Sequence, residues 1–151
     1  MRLTFSLPLA SIPKGRPRTA RAGHVYTPKR TREFETAVTK AVLQRLPEDF
    51  TLLTGYLSMS YTFYLKVPKS WPKSKREQAL AKVIYPQVGD LDNRVKAVSD
   101  ALNGVLFLDD KQIVKSTEQV FYAKGDAVQF TVSEIGSAYE RDNTGGVGVG
   151  G

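Results

Sequence analysis

Alternation of apolar and polar residues predicts two strands in the first half of the chain. From Arg2 to Leu9, Leu3, Phe5 and Leu7 fall on one face of the predicted strand. The alternation is stronger from Tyr56 to Leu65, where every second residue is apolar. A repeat of two residues is typical of a strand that buries one face against a core.

Two more strands are predicted near the C-terminus. They run from Ile113 to Tyr122 and from Ala127 to Ile135, and only residues 123–126 connect them. A connection of this length that contains Gly is typical of a β-hairpin, so we expect these two strands to pair with each other.

Apolar residues at the helical period predict two helices between the strands. The first has Thr27 as its N-cap and Pro28 as its first residue, and it continues to about Leu46. A shorter helix at 75–83 follows Ser74 and Glu77, which match the S-x-x-E capping box. Trp71, just before it, either packs against this helix or stacks on a nucleic-acid base.

A third helix is predicted after Gly89. Asp92 or Asn93 is placed to cap it, and Asn103-Gly104 is a typical helix C-terminus with Gly in the left-handed conformation. Its apolar residues form one stripe, and its polar residues form another at spacings of four, four and three: Asp92, Lys96, Asp100 and Asn103.

This order of elements predicts an α+β fold. We expect one small domain with a mixed β-sheet and helices packed on one side, since a chain of 151 residues has room for one ordinary core. The domain is predicted to span residues 1–136, with 137–151 as a flexible Gly-rich tail. No apolar run approaches the roughly 18 residues of a membrane span, so the expected location is cytoplasmic.

The positive charge is concentrated in the first third of the chain. Residues 1–46 contain ten Lys and Arg against two Glu, and the whole chain has a net charge of +7. This asymmetry predicts a polyanionic partner, nucleic acid before membrane. Gly and Pro within residues 12–28 predict a basic loop, named the basic loop below. The candidate phosphate contacts in this loop and the following helix are Lys14, Arg16, Arg18, Arg21, Lys29 and Arg30.

The negative charge is concentrated in the stretch 89–110. This stretch contains five Asp but only two basic residues, Arg94 and Lys96. Such a concentration is unfavourable without a counter-ion, and a divalent cation is the usual one, although a solvated acidic surface is the alternative. The absence of Cys excludes a thiolate metal site or a disulfide framework. His24 lies alone among basic residues, where a phosphate contact is favoured over a role as catalytic base.

Oxygen ligands alone therefore remain for a cation. If Asp90 ends a strand, Asp90 and Asp92 project to the same side, and Asp109 or Asp110 can supply a third carboxylate. An EF-hand is excluded, because Arg94 and Val95 occupy the positions that would need an oxygen ligand and Gly. Mg²⁺ or Mn²⁺ suits such a site and can activate water against a phosphodiester, with Lys96 close enough to offset developing charge.

The residues that carry this chemistry also resemble a known family. DLDNRVKAVSDALNG followed by LDDKQIV is similar to the motifs of the RusA family of Holliday-junction resolvases, and KGRPR with GHVYTPKRTREFE resembles the N-terminal segment of its phage-type members. The resemblance covers most of residues 10–120. The insert around 71–83 is absent from the shortest form of the pattern.

The resemblance implies a RusA-like fold and an Mg²⁺-dependent, structure-selective endonuclease of DNA recombination and repair. It implies a homodimer that resolves four-way DNA by paired symmetric nicks. Matched residue by residue, Asp90, Asp92 and Asp110 correspond to metal-binding carboxylates and Lys96 to a catalytic lysine, while Asp109 and Asp100 are weaker candidates.

Two other functions remain open on the sequence. A non-catalytic protein that binds branched DNA would use the acidic cluster structurally. A nucleotide-sugar transferase could use D-L-D as its D-x-D, but the nucleotide-binding α/β region of such enzymes is absent.

Overall fold

A computed structural model describes residues 1–15 and 18–138. In that part of the chain, three α-helices and two β-sheets are present. The elements in chain order are β1 (Arg2–Leu7), β2 (Arg18–Thr19), β3 (Val25–Tyr26), α1 (Lys29–Arg45), β4 (Gly55–Lys66), α2 (Lys73–Leu80), α3 (Leu91–Leu102), β5 (Ile113–Ala123) and β6 (Ala127–Ala138). The predicted α+β fold with a mixed sheet is confirmed.

The main sheet has the strand order β1-β6-β4-β5, with β5 parallel to β4 and the other neighbouring pairs antiparallel. The predicted hairpin is therefore wrong, because β5 and β6 lie on opposite sides of β4. The connection between them crosses the end of β4, where Ala123 O accepts a hydrogen bond from Val67 N and Asp126 Oδ1 accepts one from Lys66 N. β4 thus occupies the place between two strands that are adjacent in sequence.

One face of the main sheet carries the core. Leu57, Met59, Tyr61 and Phe63 alternate along β4 and are almost completely buried, as the alternation predicted. They pack with apolar residues from the neighbouring strands and from α1 and α3: Phe5, Leu7, Val128, Phe130, Val132, Phe34, Val38, Val42, Ala97, Val98, Ala101 and Leu102. Burying the apolar stripes of both helices fixes α1 and α3 on this face of the sheet.

The helices α1 and α2 do not begin at the residues that the sequence predicted. Pro28 and Pro72 occupy the N-cap positions of α1 and α2, and no side chain caps either helix. Each proline has φ near −55° with an extended ψ, so the helix starts at the next residue. The capping roles predicted for Thr27 and for Ser74 with Glu77 are therefore wrong, as Ser74 already lies inside α2.

The third helix ends as predicted and begins differently. Gly104 follows α3 with φ +76°, the left-handed conformation expected of it. Asp90 is the N-cap residue of α3, rather than Asp92 or Asn93, and its side chain makes no capping hydrogen bond.

Two segments differ in extent from their predictions. The basic loop contains a small two-stranded sheet, β2 with β3, around Gly23 at φ +88°. β6 continues to Ala138, two residues beyond the predicted end of the domain. The rest of the predicted tail, 139–151, lies outside the described residues, as do residues 16 and 17. No helix in the described ranges combines the length and apolar character needed to cross a bilayer.

Candidate functional site

The basic loop is attached to the N-terminal half of α3. Arg94 Nη1 donates to Ser11 O at 2.8 Å and contacts Ser11 Oγ at 2.7 Å. Lys14 N donates to Asn93 O at 3.1 Å. Burial lowers the pKa of Arg94, nearby Arg30 lowers it further, and the charge of Asp90 opposes both effects. These contacts place the most basic segment of the sequence directly beside the most acidic one.

Lys14 forms a second attachment between the same elements. Its Nζ lies 2.9 Å from Glu35 Oε1 on α1 and 2.5 Å from Asp100 Oδ2 on α3. Burial would lower the pKa of Lys14, but the hydrogen bonds and charges of Asp100 and Glu35 outweigh it and raise the pKa above the usual value of a lysine. The amine predicted to contact phosphate is thus held by two carboxylates of the same chain.

Asp92, Lys96 and Asp110 line one open depression of about 280 Å³. Asp92 and Lys96 come from the first turns of α3, and Asp110 begins the 3-10 helix Asp110–Gln112 that precedes β5. Tyr61, Ser99 and Ser116 are among the other residues of the depression. Three of the four predicted catalytic residues are therefore brought together from segments that are separated in the sequence.

Asp90 does not line this depression. It precedes a helix and does not follow a strand, so the premise that placed Asp90 and Asp92 on one side is wrong. Side chains two residues apart do not share a face of a helix, and Asp90 instead lies near Arg94. Within residues 1–15 and 18–138, no three Asp, Glu or His side chains are gathered closely enough to enclose a metal ion.

Asp110 lies near two other carboxylates, and its pKa is raised above the usual value. Burial raises its pKa, and the neighbouring Asp109 and Asp100 raise it further, while Lys96 acts in the opposite direction. A cation beside Asp110 would relieve this repulsion. Mg²⁺ is commonly held by one or two carboxylates and retains its waters, so Asp92 and Asp110 in an open depression fit such an ion.

Asp100 forms ion pairs with two lysines, Lys14 and Lys96. Besides Lys14, it contacts Lys96 at 3.2 Å between Oδ1 and Nζ. The Asp100 side chain is only 18% exposed, so solvent screens these pairs less than it would at the surface. Asp100 therefore fixes Lys96 of the depression relative to the basic loop.

The floor of the depression is polar and uncharged. Tyr61 Oη and Ser99 Oγ are 2.7 Å apart and share a hydrogen bond. Burial, together with the charges of Glu118 and Asp110, raises the pKa of Tyr61 to about 12 against the hydrogen bond from Ser99. Neither residue was predicted from the sequence, because Tyr61 has the position of an ordinary core residue in β4 and Ser99 belongs to neither the apolar nor the polar stripe of α3.

Gln112 positions the turn that carries Asp110. It is fully buried, and its Nε2 donates to Leu53 O at 2.9 Å and to Gly55 O at 3.0 Å. Its Oε1 accepts from Leu108 N and Asp109 N at 2.8 and 3.0 Å. The signal in the sequence was a single Gln two residues after Asp110, which did not by itself indicate burial.

The other predicted DNA contacts fall into two groups. Arg18, Arg21, Lys29 and Arg30 are exposed, whereas Arg16 lies outside the described residues.

A larger groove of about 800 Å³ lies between α1 and α3, and Arg32, Lys40 and Asp100 are among its lining residues. Of the four predicted catalytic side chains, none lines this groove, so the groove is separate from the depression.

Comparison with known proteins supplies the family. The family model described as Endodeoxyribonuclease RusA matches residues 8–133. An uncharacterized protein of Bacillus subtilis (strain 168), YqaN, is 35% identical over 130 residues, which cover 82% of this chain and 90% of that protein. The matched range contains the depression, the basic loop and every described helix. The chain therefore belongs to the RusA family of endodeoxyribonucleases.

Proposed function

We propose that the protein is a divalent-metal-dependent endonuclease that resolves four-way DNA junctions by paired, symmetric nicks. The observation that carries this proposal is the meeting of Asp92, Lys96 and Asp110 in one open depression beside the basic loop. Its family consists of endodeoxyribonucleases, which supports DNA as the substrate.

Asp92 and Asp110 are the ligands we assign to Mg²⁺, or Mn²⁺ in its place, and Asp90 is the predicted third carboxylate. When bound there, the cation would supply Lewis-acid activation of a water and neutralise charge on the scissile phosphate. Asp90 immediately precedes α3 but does not line the depression, so it is assigned as a ligand from the sequence. Asp110 must be ionised to bind a cation, and proximity of that cation favours the ionised form.

Lys96 is the cationic side chain of the depression. Asp100 holds its Nζ from one side, four residues further along α3. A lysine in this place can bind a non-bridging phosphate oxygen and offset the negative charge that develops as the phosphodiester bond breaks. The Lys96 side chain is 58% exposed, so its ammonium group is accessible to a phosphate.

The basic loop and the start of α1 are the proposed docking surface for DNA. Arg18, Arg21, Lys29 and Arg30 are exposed and would contact phosphates without reading the sequence. Arg16 is assigned to this surface from the sequence. For Lys14, the contacts with Glu35 and Asp100 favour a different contribution, which is to neutralise two carboxylates that would otherwise repel the DNA backbone.

A homodimer is part of the proposal. One chain has one such depression among its described residues, and two symmetric nicks in a four-way junction require two. A two-fold dimer would present two identical sites to a substrate that has the same symmetry.

The test is nicking of a fixed four-way junction with and without Mg²⁺ by three single variants. Asp92→Asn and Asp110→Asn are expected to abolish nicking and to retain junction binding, because they remove ligands and also remove charge that repels phosphate. Asp49→Asn, an exposed carboxylate outside the depression, is the control and should nick normally. Full activity of either depression variant would contradict the proposal.

One observation favours a second function: among the described residues, no three Asp, Glu or His side chains lie close enough together to hold a metal ion. The protein would then bind branched DNA without cutting it, and the acidic residues would be structural. Binding to the junction without any Mg²⁺-dependent or Mn²⁺-dependent nicking by the wild-type protein would favour this function.

A further inference from the structure

The segment 66–85, named the α2 segment below, is a second basic surface. It contains six Lys and Arg against one acidic residue, Glu77. All six basic side chains are exposed: Lys66, Lys69, Lys73, Lys75, Arg76 and Lys82. Only Lys73 reaches Glu77, at 3.9 Å between two highly exposed groups, so that pair is weak. Most of this positive charge is left without a counter-ion among the described residues.

Aromatic contacts hold the α2 segment on the C-terminal end of β5. Trp71 packs edge-on against Tyr122, with ring centroids 5.1 Å apart, and Lys75 Nζ lies 3.9 Å from the centroid of the Trp71 ring. Tyr85 packs on Phe121 at 5.9 Å, and Lys82 Nζ lies 4.4 Å from the same ring. The indole of Trp71 is thus engaged by the protein itself, through Lys75 of α2 and through Tyr122 of β5, a strand that the packing alternative did not include.

These contacts lie on both faces of the edge strand. Phe121 and Tyr122 are consecutive, so their side chains point to opposite faces of β5. Lys82, at the turn after α2, has φ +63°, a left-handed conformation that is unfavourable for a non-Gly residue. Packing on both faces holds the basic residues in a fixed position relative to the sheet, which distinguishes this segment from a freely moving charged loop.

The position of the α2 segment relative to the depression suits a DNA arm. Ser116 lines the depression, and Tyr122 lies six residues further along the same face of β5. At about 3.3 Å per residue the separation is roughly 20 Å. This corresponds to about six base pairs of duplex at 3.4 Å each. Glu118, between them on this face, is one negative charge against six positive ones.

We propose that the α2 segment is a second DNA-binding surface. It would hold the backbone of a duplex arm about half a helical turn from the scissile phosphate, through phosphate contacts that do not depend on sequence. The inference deepens the proposed function and rests on it for the location of the scissile phosphate. Charge complementarity selects DNA as the occupant, since phosphates spaced along a duplex match exposed cations spread over a rigid surface.

The test combines a protein variant with a modified junction. Lys69→Gln/Arg76→Gln removes two exposed charges whose side chains have no ion-pair or hydrogen-bond partner among the described residues. Arg2→Gln/Arg45→Gln is the control, with the same reduction of charge on β1 at the opposite edge of the sheet and at the end of α1, where Arg45 also loses its hydrogen bond to Ala41 O. The junctions carry either normal phosphates or neutral methylphosphonates about five to eight base pairs from the branch point.

Dissociation constants are measured by fluorescence anisotropy without Mg²⁺ over a range of salt concentrations. For Lys69→Gln/Arg76→Gln, we expect roughly tenfold weaker binding near 0.1 M salt and a salt slope lower by about 0.9 for each phosphate that is no longer neutralised. On the methylphosphonate junction, we expect wild type and variant to bind equally, because the contacted charges are already absent. The control should keep the wild-type slope on both junctions.

Two results would overturn the inference. One is an unchanged dissociation constant and slope for Lys69→Gln/Arg76→Gln. The other is an equal decrease of affinity on normal and methylphosphonate junctions, which would assign the effect to overall charge. Nicking of the normal junction by the wild type in Mg²⁺ is measured separately, so an absence of nicking contradicts the proposed function and leaves the binding result to decide this inference.

Discussion

Gln112 is the residue whose contribution depends most on its surroundings. Its amide makes four hydrogen bonds to backbone groups, two with N–H groups at the start of the turn that carries Asp109 and Asp110 and two with carbonyl groups of residues 53–55. Asp109 Oδ1 accepts a further one from Lys111 N at 2.9 Å within the same turn. A buried polar side chain with every group satisfied specifies one conformation, because any other arrangement leaves polar groups unpaired. Gln112 thereby fixes the position of Asp110 without touching the depression itself.

Replacing this amide tests that role. Gln112→Met keeps a similar volume but leaves two carbonyl groups and two N–H groups without partners. We expect the free energy of unfolding to fall by about 3 kcal/mol or more, measured by urea denaturation. Gln119→Met, on the exposed part of β5, removes one hydrogen bond to Thr62 and should cost under about 0.5 kcal/mol. Equal decreases for the two variants would show that Gln112 does not anchor the turn.

At the scale of elements, α3 is where local sequence and tertiary packing meet. Its apolar stripe packs into the core and its polar stripe carries Asp92 and Lys96. Its first turns hold the start of the basic loop, through Asn93 to Lys14 and through Arg94 to Ser11, the residue just before the loop. The end of α3 is local, since Gly104 has a positive φ that a residue with a side chain rarely adopts. A sharp stop there directs the chain into the apolar turn before Asp110.

The stop can be tested at Gly104. A Cβ built on this residue meets nothing within 4 Å, so Gly104→Ala adds backbone strain without a clash. We expect a destabilisation of roughly 1–2 kcal/mol, seen as a lower melting temperature. Gly125→Ala is the control, because its Cβ also meets nothing and its φ is not positive. A melting temperature for Gly104→Ala equal to that of Gly125→Ala would contradict the explanation.

At the scale of the whole molecule, positive and negative charge are adjacent but separate. The basic loop, with the exposed cations at the start of α1, lies next to an acidic depression, and the ion pairs of Lys14 and the hydrogen bonds of Arg94 hold the two together. Opposite charges in neighbouring places let the protein attract a polyanion and still concentrate carboxylates for a cation. Apart from Lys96, the cations that contribute to DNA binding should therefore lie outside the depression.

Salt dependence measures this contribution. Arg18→Gln/Arg21→Gln should weaken junction binding and lower the slope of log K against log salt by about 0.9 for each phosphate that the variant leaves without its arginine. Asp92→Asn in the depression should not lower that slope, because it removes no cation. The same anisotropy titrations give both values. A wild-type slope for Arg18→Gln/Arg21→Gln would exclude the described part of the basic loop from the DNA interface.

Strand pairing was the part of the fold that the sequence alone did not determine. Residues 124–126 join β5 to β6 closely enough for a hairpin, yet β4 lies between the two strands. The choice between pairing with a neighbour in sequence and pairing with β4 depends on hydrogen bonds and core contacts across the whole sheet. Local periodicity carries no information on those contacts.

The sequence by itself determined most of the elements and where the charged residues lie along the chain. The alternation of β4, the stripes of α1 and α3 and the left-handed Gly104 each follow from forces within a few residues, and the unequal distribution of charge is a property of the sequence alone. Tertiary structure decided which groups meet. It brought Asp92, Lys96 and Asp110 into one depression, left Asp90 outside it, and joined Lys14 to Asp100, because such contacts arise only when segments distant in the chain are packed on the same core.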